Sequence, residues 1–128
     1  MSAGPELAGL RILVVEDEML VALLVEDYLY DNGCEVVGPA ATLSEALRMA
    51  RTESFHAAVM DVNIGGEKAY PVAEALEGLG IPFLFVSGYG QSAVPASHPH
   101  WRVCAKPFRG EDMVKMLRAQ IKASEVGN

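Results

Sequence analysis

Short apolar runs alternate along the chain with segments in which apolar residues recur every three or four positions. Five runs, LRILVVE, CEVVG, AAVMD, PFLFVS and RVCA, are rich in β-branched or aromatic residues and bounded by turn formers, and they read as strands. After the first, Met19 to Asn32 places Leu20, Leu23, Leu24 and Tyr28 near one helix face, with Gly33 positioned to end the helix. After the second, Thr42 and Glu45 have the spacing of a capping box, and Leu43, Ala46, Leu47 and Ala50 follow at helical spacing. A third helix is predicted from about Glu67 to Glu77. A last one runs from about Gly110 to Ala123, where Met113, Leu117 and Ile121 form an i, i+4 stripe. Between Gly90 and Trp101 the stretch QSAVPASHPH carries two prolines, so any helix there is short or mobile.

Strand and helix alternate strictly and the strands are apolar throughout. That pattern predicts a parallel sheet covered by helices on both faces, a doubly wound α/β sandwich joined by right-handed crossovers. In such sheets ligands bind beyond the carboxyl ends of the strands, so the residues just after each strand are where chemistry is sought. They are Glu16 and Asp17 after the first strand, Asp61 after the third, Ser87 after the fourth, and Lys106 with Pro107 after the fifth.

Each has an ordinary explanation. Acids suit a helix start, Asp61 before Gly65 and Gly66 can form an Asx turn, Ser87-Gly88 can be a turn, and a residue before proline is usually extended. As a set they place three carboxylates, a hydroxyl and an ammonium on one rim, which favours a joint function. Carboxylates held together repel one another unless a cation sits among them. Oxygen-only donors suit Mg²⁺.

The bulk properties narrow the field. With 128 residues, 51% of them hydrophobic, one domain with one proper core is expected. The apolar runs stop well short of membrane-spanning length, and MSAGPELAG has neither a basic start nor an apolar signal core, so a cytoplasmic protein without membrane insertion is expected. The two cysteines, Cys34 and Cys104, are read as reduced, packed thiols. A net charge of −7 without Lys/Arg clusters disfavours direct nucleic-acid binding.

Taken in order, VEDE, VMDVN, FVSGY and AKPF resemble the receiver domain of two-component response regulators, from about Leu10 to Ala123. Residues 1–9 and 124–128 are then short tails. The resemblance implies a flavodoxin-like, five-stranded sheet of order 2-1-3-4-5. It also implies that Asp61 accepts a phosphoryl group from a histidine kinase or phosphotransfer protein. Asp17 and Asp61 would bind Mg²⁺ directly, Asn63 would offer its backbone carbonyl, and Glu16 would act through a water. Ser87 and Lys106 would hold phosphoryl oxygens, Gly88 would leave the approach open, and Pro107 would follow a cis peptide. Such a domain is not an enzyme in the usual sense, although it promotes its own phosphorylation and dephosphorylation.

The chain departs from the common pattern at Val103, where many receivers carry an aromatic switch three positions before the lysine. PFLFVSGYG instead resembles the PFxFATGY motif of an alphaproteobacterial receiver group, which tends to work with HWE-type or related histidine kinases. There Tyr89 is either the sensing aromatic or a loop residue resting on the sheet edge. His98 and His100 flank Pro99 with no further His or Cys in the loop and read as a solvated loop. Trp101 reads as a packing anchor, and Met113, Met116 and Leu117 as core. Since only SEVGN follows the last predicted helix, a stand-alone regulator is expected, signalling by contact with a downstream protein or by phosphorelay. A phosphorylation-dependent dimer is compatible with this reading. The rival readings are a pseudo-receiver that binds partners without being phosphorylated, and a haloacid-dehalogenase-like phosphatase. The latter lacks its usual second acid, since Asn63 stands there.

Overall fold

The structure, a computed structural model, describes residues 7–126. Its strands and helices are β1 (Arg11–Val15), α1 (Met19–Asp31), β2 (Glu35–Ala40), α2 (Leu43–Thr52), β3 (Ala57–Asp61), β4 (Asn63–Ile64), β5 (Glu67–Lys68), α3 (Tyr70–Gly78), β6 (Phe83–Ser87), β7 (Val103–Ala105) and α4 (Gly110–Val126). A single 3-10 turn, Gly90–Ala93, is the helical structure between β6 and β7, in line with the two prolines that follow it. The five-stranded sheet is parallel with order β2-β1-β3-β6-β7. Counting only its own strands, that is the 2-1-3-4-5 order of the flavodoxin-like receiver sandwich.

Alternation along the central strands divides the core. Leu13, Val15, Ala58, Met60, Phe83 and Phe85 face α2 and α3, which contribute Ala46, Ala50, Val72, Ala73 and Leu76. Ile12, Val14, Ala57, Val59, Leu84 and Val86 face α1 and α4, which contribute Val25, Leu29, Met113, Val114 and Leu117. Because both faces are covered, the central strands are apolar between their ends, with polar residues only at strand ends such as Asp61 and Ser87, which is why they appear in the sequence as continuous apolar runs. Trp101 is buried against Phe83, Phe85 and Tyr70, as expected of an anchor. Both cysteines are buried and free. Among the described residues no helix is long and apolar enough to cross a membrane.

Three expectations are corrected. In α1 the inward face is Ala22, Val25 and Leu29, whereas Leu20, Leu23 and Leu24 are exposed, Leu20 by 82%. The helix is apolar nearly all round, so periodicity alone does not mark which stripe packs. The third helix begins at Tyr70 rather than Glu67. Gly65 and Gly66, at φ +57° and +87°, close a two-residue turn that pairs β5 back on β4, and Pro71 then falls in the first helical turn. The last helix also reaches past Ala123. Leu7 is fully buried against the α1/α4 layer and α4 continues through Val126, while residues 1–6 and 127–128 lie outside the described residues. The capping box is present with one difference: Glu45 N donates to Thr42 Oγ1 at 3.1 Å, and the Glu45 carboxylate accepts from Ala41 N rather than from the cap itself.

Candidate functional site

The parallel register gathers the strand ends. Asp61 is level with Val86 across β3 and β6, and Ser87 is level with Ala105 across β6 and β7. Lys106 therefore leaves the sheet beside Ser87, whose carbonyl accepts from Lys106 N at 2.8 Å. Asp17, Asp61, Asn63, Ser87, Gly88, Tyr89 and Lys106 line one open cleft of about 290 Å³.

Asp61 uses its two oxygens differently. Oδ1 accepts from Asn63 N at 2.9 Å, an Asx turn that fixes the side chain. Oδ2 accepts from Lys106 Nζ at 2.6 Å, a charge-assisted bond. An Asx turn and an ion pair thus coexist in one buried carboxylate. Glu16 is buried beside it. Its Oε2 accepts from Glu18 N at 3.1 Å, whereas its Oε1 has no hydrogen-bond partner and lies 3.6 Å from Lys106 Nζ. Burial, with the negative charge of Asp61 adding to it, pushes the Glu16 carboxyl up to about 7. Burial by itself would lower Lys106. The hydrogen bond and charge of Asp61, with Glu16 and Glu18, outweigh it and raise the ammonium above its ordinary value.

Two placements differ from the sequence reading. Among the described residues, Glu16, Glu18 and Asp61 bring carboxylate oxygens within 4.8 Å of one another. Asp17 instead turns its Oδ2 to Gly65 N at 2.9 Å, tying the β1 end to the β4–β5 turn while still lining the cleft. Ser87 is buried, and its Oγ accepts from Tyr89 N at 3.1 Å. Gly88 faces open space, and the peptide from Lys106 to Pro107 is cis. Tyr89 does not rest on the sheet: it is 75% exposed at the cleft mouth. Val103, where an aromatic switch would sit, is buried.

Sequence reasoning missed Glu18 and Gln91. Glu18 Oε1 lies 3.8 Å from Lys106 Nζ. Gln91, in the 3-10 turn after Tyr89, donates from Nε2 to Trp101 O and accepts from Val103 N at 3.2 Å, so its amide grips the chain entering β7. Tyr70 Oη donates to Ala93 O in the same segment. No local pattern announces Gln91, because its partners are ten or more residues away.

Comparison with known proteins agrees with this architecture. Residues 12–118 match the response regulator receiver domain family. SdrG of Sphingomonas melonis Fr1 superimposes with a TM-score of 0.78 at 37% identity, covering 95% of this chain and 99% of that one. The response regulator PhyR of Brucella abortus gives a TM-score of 0.77 at 30% identity, covering 98% of this chain and 55% of that one. The phyllosphere-induced regulator PhyR of Methylorubrum extorquens is 29% identical over 114 residues, 84% of this chain. The match spans 43% of that regulator, less than half of its length. A family match over most of the chain and a parallel sheet with acids, serine and lysine on its carboxyl rim lead to one conclusion: the chain belongs to the response regulator receiver domain family.

Proposed function

We propose that Asp61 accepts a phosphoryl group from a histidine kinase or phosphotransfer protein, in a Mg²⁺-dependent reaction, and that the phosphorylated domain signals by contact with a partner protein or by phosphorelay. The supporting observation is that Asp61, Ser87 and Lys106 line one cleft although they come from three different strand ends.

Receiver domains generally bind Mg²⁺ at an acidic site. The residues here fit it, since every side-chain donor is oxygen and Glu16 Oε1 is buried without a hydrogen-bond partner. Asp17, Asp61 and the Asn63 carbonyl would hold the ion, with Glu16 acting through a water. When bound, the ion supplies positive charge that offsets the charge gathering on the transferring group. A carboxylate oxygen of Asp61 forms the new bond to phosphorus as the bond to the donor breaks, and the donor keeps that electron pair. Lys106 fixes the Asp61 carboxylate beforehand and then holds a phosphoryl oxygen. Ser87, whose Oγ so far only accepts from Tyr89 N, donates its proton to another.

That new bond pulls on the segment after β6. Gln91 links this segment to Trp101 and Val103, and Tyr70 links it to α3, so a shift at Ser87 reaches the β6–β7 edge without an aromatic at Val103. The exposed Leu20, Leu23 and Leu24 supply a docking face for the donor. Leu24 shares an apolar hollow with Pro107, Phe108 and the stem of Lys106, next to the cleft.

Phosphotransfer profiling against the histidine kinases of the source organism tests this reading. One kinase, of the HWE type or related, should discharge fastest onto the protein and not onto Asp61→Asn. A pseudo-receiver would discharge none.

A further inference from the structure

We propose that Glu77, His98 and His100 form a second metal site, built for a borderline divalent transition ion such as Zn²⁺, at the rim of the sheet opposite the acidic cleft. Glu77 lies near the end of α3, and the two histidines lie in the loop that leads into β7. None of the three lines the cleft around Asp61.

The geometry is that of a preformed ligand set. One donor atom from each residue falls within a group no wider than 4.8 Å. Glu77 Oε2 meets His100 Nε2 at 2.6 Å, and Glu77 Oε1 is 4.0 Å from His98 Nδ1. Ligands about 2.1 Å from a tetrahedral ion lie roughly 3.4 Å apart, so small side-chain rotations suffice.

Two of the three ligands, His98 and Glu77, are also held from behind. The other nitrogen of His98, Nε2, lies 3.3 Å from Glu74 Oε2, the carboxylate–histidine support that commonly orients a metal-bound imidazole. The His98 ring stacks on Trp101 with centroids 3.9 Å apart and planes parallel. Trp101 Nε1 donates to Glu77 Oε2 at 3.2 Å. Two imidazoles select against Mg²⁺, which prefers oxygen, and leave a fourth position for water. A bound ion would clamp the loop after Gln91 to α3, on the element that carries strain from Ser87 toward β7.

The test is calorimetric titration of the full chain with Zn²⁺ in excess Mg²⁺, with Co²⁺ absorption as an independent report of imidazole coordination. The expected result is saturable binding at one ion per chain, in the micromolar range or tighter, with a visible Co²⁺ ligand-field band. His98→Ala, His100→Ala and Glu77→Gln should each weaken it at least about 10-fold, and Glu74→Gln by about 10-fold. His100, with a side chain 61% exposed, is the variant that spares packing, and its circular dichroism should match wild type. Binding that ignores these substitutions, that disappears in Asp61→Asn, or that never saturates in this range overturns the proposal.

Discussion

Glu16 gives the sharpest physical prediction. Its carboxyl is raised from an ordinary 4.5 to about 7, chiefly by burial and then by the nearby charge of Asp61. Below pH 4.5 the group is protonated in both folded and unfolded chains, and above about 7 it is ionised in both. Between those limits only the unfolded chain has released the proton, so each step up in pH favours unfolding. At about 1.4 kcal/mol per pKa unit, the shift amounts to about 3 kcal/mol of stability lost across the window. Urea denaturation in EDTA, from about pH 5 to pH 8, should show that decline in the wild type and not in Glu16→Gln, which has no proton to lose. Saturating Mg²⁺ should flatten the wild-type curve, because a cation offsets the buried charge. Parallel curves for wild type and variant, or a decline undiminished by Mg²⁺, would refute the electrostatic picture.

Three further outcomes follow from named contacts. Lys106→Met removes the cation bonded to Asp61 and leaves two buried carboxylates facing each other; it should cost about 2 kcal/mol in EDTA, with part recovered on adding Mg²⁺, read by the same denaturation. Gly110→Ala would set a Cβ about 2 Å from the Tyr28 ring (nearest atom 1.9 Å), lowering stability by about 2 kcal/mol, and Tyr28→Ala combined with it should lose less than the sum of the two. Leu20→Glu with Leu24→Glu should slow transfer from the cognate kinase about 10-fold, equal to about 1.4 kcal/mol of docking, while labelling by acetyl phosphate stays at the wild-type rate.

The parts of the fold that were legible are those governed by local chemistry. The central strands announce themselves because both faces are buried, and Thr42 with Glu45 marks a helix start through two short-range bonds. The rim residues were readable because parallel strands all deliver their carboxyl ends to one edge. Legibility failed where a choice depends on neighbours distant in sequence. Met19-Leu20-Val21-Ala22-Leu23-Leu24-Val25 offers two apolar stripes, and the sheet selects the one with the smaller Ala22, next to Val25 and Leu29. Asp17 turns to Gly65 only because the Gly65-Gly66 turn folds back toward β1. The histidines at 98 and 100 look like plain loop residues until α3 brings Glu74 and Glu77 against them.

The claim on which the rest depends is that Asp61 is the nucleophile. Incubating the protein with acetyl phosphate and Mg²⁺, then combining intact mass with peptide mapping, tests it most directly. The expected result is the mass of one added phosphoryl group, located on Asp61 and absent when EDTA replaces Mg²⁺. An unchanged mass with the ion supplied, or a label mapped to any other residue, would contradict it.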